Sequence, residues 1–227
     1  MTNPPTAPVV QPSRNSDGAT LLAMLAAAGA WLEQNADAVD ALNVFPVPDG
    51  DTGTNMALTM RAALDAGKRA PANGAGAMAA AIARGALLGA RGNSGVILSQ
   101  ILRGIADGMH SMESVTAADV AGALRLATDR AYQSMTHPQE GTLLTVVRRA
   151  AERAGSVVTP DMPLDRLIAE SLAEARRALA ETPALLPVLR EAGVVDAGGQ
   201  GLVLLLEGAL AFLENRQLGA AYESLGQ

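Results

Sequence analysis

The chain has 227 residues and carries 17 Lys and Arg against 23 Asp and Glu, and its net charge of −6 argues against a general nucleic-acid or anionic-membrane binder. It has no cysteine, which excludes disulfide scaffolds, thiolate zinc sites and cysteine nucleophiles. Alanine occurs 46 times and aromatic residues occur five times, so the composition predicts an all-α protein.

The start of the chain differs in composition from the rest. Residues 1–16 are rich in Pro, Ser and Asn, which predicts a disordered leader before a helical domain at 17–216 and a tail at 217–227. The leader lacks the pattern of a signal peptide, and no apolar run reaches ~18 uncharged residues. We therefore expect a cytoplasmic protein without membrane insertion.

Apolar residues recur at helical spacing in about eight longer segments that short breaks separate. The segments are expected to begin near Leu21, Thr54, Ala77, Val96, Thr116, Thr142, Pro163 and Gly201. Two shorter segments are expected before Asn43 and after Pro183. Because the connections are short, the pattern predicts a bundle or barrel in which neighbouring helices are antiparallel.

The break at residues 43–55, NVFPVPDGDTGTN, places Asp49 and Asp51 on a tight loop directly before a helix start. Mg2+ prefers oxygen ligands, commonly one or two carboxylates completed by phosphate oxygens and water. The alternative is a turn followed by a helix cap, since Asp-Gly is a common turn dipeptide. A calcium EF-hand loop is excluded because Met60 stands where that loop needs Glu.

Two more breaks, GARGNSG at 89–95 and DAGGQG at 196–201, place glycines at helix starts. Backbone amides at a helix N-terminus bind phosphate without a side-chain charge, so each break is a candidate phosphate site. The alternative is that the glycines form a structural helix cap or a flexible connection. Neither break is a Walker loop. Taken together, the three breaks predict nucleotide phosphates held by a metal ion and backbone amides.

Two glycines of these breaks and the two histidines of the chain lead to separate expectations. A side chain at Gly95 or Gly199 should weaken nucleotide binding, because the backbone there is expected to approach the ligand. His110 and His137 are expected on the solvated surface and not as catalytic bases.

Four segments in this order carry a family resemblance: LNVFPVPDGDTGTNM at 42–56, GARGNSGVILSQILRG at 89–104, EGTLLTVVRRAAE at 140–152 and VVDAGGQGLVLLLEG at 194–208. They resemble the nucleotide-binding domain of the fatty acid kinase A subunit, which is homologous to the dihydroxyacetone kinase L subunit (DhaL). The resemblance covers about residues 17–215. It implies a barrel of about eight antiparallel amphipathic helices, with ATP and two Mg2+ at one rim.

The resemblance also implies roles for single residues. Asp49 and Asp51 match metal-bridging carboxylates. Asn43 falls near the first acidic metal ligand of the dihydroxyacetone branch and is expected, with the two carboxylates, at the metal. The residues that match nucleotide-binding positions comprise a helix start, a phosphate loop, a closing threonine and a loop near the adenosine: Thr54 and Asn55; Asn93, Ser94 and Gly95; Thr142; and Asp196, Gly198, Gly199 and Gln200. No catalytic residue is expected beyond this metal and phosphate site.

The implied function is that of an ATP-dependent kinase of fatty-acid-kinase type. It would pass the γ-phosphate of ATP to a fatty acid carboxylate presented by a fatty-acid-carrier protein, and would be inactive without that partner or a further domain. Such an acceptor has a pKa near ~4.3 and needs no general base. Fatty acid kinase A subunits continue into further domains, so this chain is either a single-domain relative or a fragment.

Two alternatives stay open. One is a dihydroxyacetone kinase L-type subunit that phosphorylates glycerone beside a dihydroxyacetone-binding subunit, although VFPVP before DGD and the GNSG loop favour the fatty acid branch. The other is a regulatory domain that binds nucleotide without transferring phosphate. The sequence leaves open the acceptor, the partner and whether a homodimer forms.

Overall fold

The computed structural model describes residues 16–71 and 74–219, and this part of the chain is almost entirely helical. The eight long helices are α1 (Gly18–Gln34), α3 (Thr52–Arg69), α4 (Gly74–Gly89), α5 (Gly92–Gly108), α6 (Ala117–Gln133), α7 (Leu143–Val157), α8 (Leu164–Leu185) and α10 (Ala197–Leu213). Two short helices are α2 (Ala36–Asp40) and α9 (Pro187–Ala192), and two-residue strands β1 (Ser16–Asp17) and β2 (Ser114–Val115) pair antiparallel. The predicted all-α fold class is confirmed.

Seven of the long helices form a closed ring. In ring order, α1, α4, α5, α6, α7, α8 and α10 each pack on the next, and α10 returns to α1. The eighth long helix, α3, packs against α1, α4, α5 and α10. Their buried faces share one hydrophobic core, which includes Leu32, Met56, Met60 and Leu204. Helix α10 is apolar on nearly all sides, and 14 of its 17 residues are buried, as expected of a helix that other elements cover.

Glycines allow close crossings of neighbouring helices. A Cβ atom at Gly104 would lie 2.4 Å from the Cα of Ala127, where α5 crosses α6. A Cβ atom at Gly208 would lie 2.6 Å from the Cα of Ala28, where α10 crosses α1. These contacts are shorter than a side chain tolerates, so close packing accounts for both glycines.

Several helix boundaries differ from the sequence prediction, and three of them concern the glycine-containing breaks or a proline. Helix α5 begins at Gly92 and α10 at Ala197, so the second and third breaks extend into the first turns of helices. Helix α8 continues through Pro183 to Leu185. Proline lacks the N–H that would bond the carbonyl of Leu179, and the hydroxyl of Thr182 donates to that carbonyl at 2.7 Å instead.

Most of the predicted leader and tail lies outside the described residues. Ser16, which belongs to the predicted leader, forms part of β1. Within residues 16–71 and 74–219, no helix combines the length and the hydropathy needed to cross a membrane.

Candidate functional site

A cleft of about 500 Å3 opens where four helices begin. Its walls include the cap or first-turn residues of α3, α5, α7 and α10: Asp51, Thr52, Gly92, Asn93, Ser94, Thr142, Leu143, Leu144, Asp196 and Gly198. The loop between α2 and α3 and the connection between α6 and α7 complete the walls, mainly through Asn43, Phe45, Pro46, Val47, Asp49, Met135, His137 and Gln139. The fold therefore gathers all three sequence breaks into one cleft.

The charges around this cleft have an unusual distribution. Asp49, Asp51 and Asp196 line it, whereas no Lys or Arg of the described residues does so. Each helix N-terminus carries a partial positive charge equivalent to about half an elementary charge. The partial positive charges at the cleft therefore belong to four helix starts and not to Lys or Arg side chains, and His137 is the one histidine among the lining residues.

The carboxylate loop, residues 41–51 between α2 and α3, is organised by the buried side-chain amide of Asn43. Asn43 is 7% exposed, and its Nδ2 donates to Asp49 Oδ1 at 2.6 Å and to the carbonyl of Val47 at 3.3 Å. Its Oδ1 accepts from the hydroxyl of Thr52 at 2.9 Å. Asp49 is exposed and Asp51 is half-buried, and neither forms an ion pair with any described residue. The loop thus presents two carboxylates without a cationic partner.

Asp40 at the end of α2 holds the start of α3. Its Oδ1 accepts from the amides of Gly53 and Thr54 at 2.6 and 3.1 Å, and its Oδ2 accepts from the Thr54 hydroxyl at 2.6 Å. Thr54 therefore contacts Asp40 and does not line the cleft. Sequence analysis missed Asp40, because only the folded chain brings it next to amides 13 and 14 residues away.

Helices α7 and α10 also begin with their amides capped. The hydroxyl of Thr142 accepts from the amide of Leu144 at 3.3 Å, and Asp196 Oδ2 accepts from the amide of Gly199 at 2.7 Å. Helix α5 differs, because its N-cap residue Arg91 makes no side-chain hydrogen bond to the helix. Among the four helix starts at the cleft, α5 is the one whose first turn receives no side-chain cap from the described residues.

Gly92, at the start of α5, has a φ of +56°, in the left-handed region that favours glycine. A Cβ atom there would lie 2.4 Å from Nδ2 of Asn55. Asn55 thus lies beneath the start of α5 and outside the lining of the cleft. Asn93 and Ser94 follow directly and do line the cleft.

Asp196 is a carboxyl group in the cleft wall with only 6% of the residue exposed. Burial raises its pKa from 3.8 to about 6, against the opposing effect of hydrogen bonds from the amides of Gly199 and Leu143. Its own amide donates to the hydroxyl of Thr182 at 3.1 Å. One side chain therefore joins the starts of α7 and α10, and its backbone joins them to the proline-containing end of α8.

A polar network around Glu140 anchors the connection between α6 and α7. Glu140 accepts from Tyr132 at 2.7 Å, from Arg148 at 3.1 Å and from the hydroxyl of Thr145. Burial would raise the pKa of Glu140, but the hydrogen bonds from Thr145, Tyr132 and Arg148 outweigh burial and hold the pKa below its ordinary value. The network fixes the segment that carries His137, Gln139 and Thr142 into the cleft.

Eight of the thirteen predicted metal- and nucleotide-binding residues line the cleft: Asn43, Asp49, Asp51, Asn93, Ser94, Thr142, Asp196 and Gly198. The other five lie outside its lining: Thr54, Asn55, Gly95, Gly199 and Gln200.

Gly95 and Gly199 face neighbouring helices. A Cβ atom at Gly95 would lie 2.4 Å from Thr59 Oγ1, and one at Gly199 would lie 2.8 Å from Val146 Cγ2. Helix packing thus accounts for both glycines, and the expected approach of their backbone to a ligand stays a prediction.

The two histidines are both exposed, as predicted. Only His137 lines the cleft, which sequence analysis did not anticipate. No local signal could have shown this, since the position of His137 depends on how the connection between α6 and α7 folds.

Comparison with known proteins gives the family. The sequence-family model described as the DAK2 domain matches residues 46–211 of this chain. The chain belongs to the DAK2 domain family. The chain is 45% identical over 201 residues to Protein YloV of Bacillus subtilis, and the match covers 88% of the chain and 36% of that protein. It is 41% identical over 211 residues to an uncharacterized protein of Staphylococcus saprophyticus, covering 93% of the chain and 38% of that protein. The chain thus spans a little over a third of the length of these relatives.

Two solved structures share the fold. The native dihydroxyacetone kinase of C. freundii aligns with a TM-score of 0.59, and its complex with AMP-PNP and Mg2+ aligns with a TM-score of 0.64. Both are 16% identical to this chain. The alignments cover 92% of this chain and 37% and 36% of the two kinase chains. The resemblance to the dihydroxyacetone kinase L-subunit family is confirmed.

Proposed function

We propose that this DAK2 domain binds ATP with Mg2+ in the cleft and passes the γ-phosphate to an acceptor that a partner protein or a further domain presents. One observation carries the proposal: four helix starts and two unpaired carboxylates surround a cleft that no described Lys or Arg lines. Helix starts favour anions, whereas carboxylates repel them. A divalent cation between the carboxylates and a phosphate would offset the repulsion between them, while the helix starts attract the phosphate.

The donor set fits Mg2+. Asp49 and Asp51 supply carboxylate oxygens on an accessible loop, and Mg2+ commonly takes one or two carboxylates with phosphate oxygens and water. The described residues contain no group of three or more His, Cys, Asp or Glu side chains that could hold a metal by themselves. The site therefore suits one or two cations that arrive with the nucleotide. When bound, Mg2+ would neutralise charge on the transferring phosphoryl group.

The caps indicate how the nucleotide lies. The open start of α5 offers backbone amides to phosphate, and it lies at the same cleft as the carboxylate loop. The starts of α7 and α10 are already capped, and Leu143, Leu144 and Met135 give that wall an apolar surface. We place the triphosphate between α5 and the carboxylate loop, and the nucleoside against α7 and α10.

A carboxylate acceptor suits this site best. Phosphoryl transfer depends mainly on positioning and charge neutralisation, and a fatty acid carboxylate with a pKa near ~4.3 is already ionised at neutral pH. Asp196 is buried and accepts from the amide of Gly199, and Asp49 and Asp51 are proposed to hold the cation, so an acceptor that needs no general base fits this cleft. The proposal is therefore a fatty-acid-kinase-type domain in the cytoplasm, served by a fatty-acid-carrier protein.

A glycerone kinase is the second candidate, because the fold matches a dihydroxyacetone kinase solved with AMP-PNP and Mg2+. A hydroxyl acceptor would need a base, which a dihydroxyacetone-binding subunit would have to supply. A regulatory domain that binds ATP without transfer is the third.

The test is to incubate the purified chain with ATP and Mg2+ and either a free fatty acid or dihydroxyacetone, without and with a candidate partner. We expect very slow transfer by the chain alone and turnover when the acceptor-presenting protein is added. Rapid product formation by the chain alone would contradict the dependence on a partner. ATP binding without transfer to either acceptor, even with partners of both kinds, would favour the regulatory alternative.

A further inference from the structure

Asn43 has the one buried polar side chain of the carboxylate loop, and both ends of its amide are engaged. Nδ2 donates to Asp49 and to the Val47 carbonyl, and Oδ1 accepts from Thr52. Turning the amide over would bring its oxygen against a carboxylate and a carbonyl, so these two acceptors fix its orientation. The amide oxygen therefore faces Thr52, while the amide nitrogen faces Asp49.

This orientation conflicts with a role for Asn43 as a metal ligand. A hard cation beside Asp49 would meet the N–H group of Asn43, which cannot ligate it. The contact with Nδ2 is also the one hydrogen bond that Asp49 makes through its side chain within the described residues. It occupies Oδ1 and leaves Oδ2 available.

We propose that Asn43 is a positioning residue that holds Asp49 ready for a cation without ligating the cation itself. The proposal rests on the function proposed above. Thr52 is the first residue of α3, so the contacts of Asn43 tie the carboxylate loop to the start of that helix. In a cleft without described Lys or Arg, a neutral N–H donor holds the carboxylate in place when no cation is bound.

The small number of anionic ligands in the carboxylate loop bears on the order in which the cation and the nucleotide bind. With two carboxylates and an amide in place of a third acid, the protein alone offers too few anionic ligands to hold a divalent cation tightly. The cation should therefore load together with the nucleotide phosphates. Asn43→Asp should convert the loop into one that binds a cation without nucleotide, because two carboxylates would then meet at the distance of the present hydrogen bond.

The first experiment measures amide hydrogen exchange of residues 44–51 in EDTA, where a ligand role has no effect. We expect exchange at least about tenfold faster in Asn43→Ala than in the unmodified chain, because the loop loses its tether. Val120→Ala, a core variant near the other end of α6 from the cleft, should leave these rates unchanged. Unchanged rates in Asn43→Ala would overturn the positioning role. If that variant does not fold, Thr52→Val removes the hydroxyl that orients the amide and is read in the same way.

The second experiment measures Mn2+ binding by electron paramagnetic resonance, with and without AMP-PNP. We expect Asn43→Ala to weaken Mn2+ binding with AMP-PNP by about 10- to 100-fold, as loss of a ligand-orienting partner does. Asn43→Asp should tighten Mn2+ binding without nucleotide by at least about tenfold, and no gain would contradict the account of binding order. If the unmodified chain fails to bind Mn2+ even with AMP-PNP, the proposed function fails, whereas the exchange result still decides whether Asn43 orders the loop.

Discussion

The two ends of the cleft are built from the same element, the helix N-terminus, and use it differently. At the α7 and α10 end, Thr142 and Asp196 of the chain itself take the first amides. At the α5 end, no described side chain caps the helix, and two carboxylates without ionic partners lie on the facing loop. A capped start contributes to the stability of the fold, whereas an open start is available to a ligand.

The open start has a cost in folding free energy. A side-chain cap contributes about 0.5–2 kcal/mol, and α5 forgoes it at an otherwise well-capped cleft. We therefore expect residues at the α5 end to act mainly in ligand binding and residues at the α7 and α10 end to act mainly in folding stability. The variants below should affect ligand affinity at one end and folding stability at the other.

The largest effect is expected at the carboxylates. Asp49→Asn or Asp51→Asn should lower Mg2+-dependent ATP affinity more than about 100-fold, since loss of a direct ligand exceeds the effect of losing an orienting partner. The fold should persist because both side chains lie on an accessible loop. Calorimetry measures the affinity and circular dichroism the fold. Asp37→Asn, an exposed acid on α2 outside the cleft lining, is the matched control and should change neither.

The second prediction concerns the open start of α5. Asn93→Pro removes one backbone N–H at a position where a first helical turn tolerates proline. A charge-assisted hydrogen bond contributes about 1.5–3 kcal/mol, so ATP affinity should fall by roughly 10- to 100-fold. Asn93→Ala keeps the amide and should cost far less affinity. Equal losses in the two variants, measured by calorimetry, would mean that the side chain and not the backbone contacts the ligand.

At the capped end, Asp196 should affect stability through pH. Its pKa in the folded protein is about 6, above the ordinary 3.8, so its contribution to stability is present below pH ~4 and is lost as the pH rises through 6. The free energy of unfolding of the unmodified chain, relative to Asp196→Asn, should fall by about 3 kcal/mol between pH 4 and pH 7. Urea denaturation at several pH values measures this. Parallel pH profiles for the two proteins would show that Asp196 titrates normally.

The smallest effect is expected at Thr142. Thr142→Ala removes the cap of α7 and should cost about 1 kcal/mol of folding free energy. ATP affinity should change less than about threefold, because the amide of Leu144 is already satisfied in the free protein. Thermal denaturation and calorimetry check the two values. A loss of affinity as large as that of Asn93→Pro would remove the distinction between the two ends.

The helices could be predicted because alanine-rich segments with apolar residues at helical spacing form helices in almost any packed context. Two boundaries could not be predicted, since glycine lowers helix propensity and Gly95 and Gly199 therefore read as parts of breaks. In the fold, Gly95 lies close to Thr59 and Gly199 close to Val146 on other helices, and the local sequence does not show this packing. The passage of α8 through Pro183 depends likewise on the hydroxyl of Thr182.

The site could be predicted in part for a similar reason. Asp49 and Asp51 belong to a local motif before a helix, so their position at a helix start was visible in the sequence. Asp40 and His137 come from other segments and reach the site only through folding. The roles of all these residues in binding stay predictions.

The most direct test of the central claim is calorimetric titration of the chain with ATP, in Mg2+ and in EDTA, with adenosine as the comparison ligand. We expect tight binding of ATP in Mg2+, at least about 100-fold weaker binding in EDTA, and weak binding of adenosine in both. ATP affinity that is equal with and without Mg2+ would contradict the claim that a cation held by Asp49 and Asp51 joins the phosphates to this cleft.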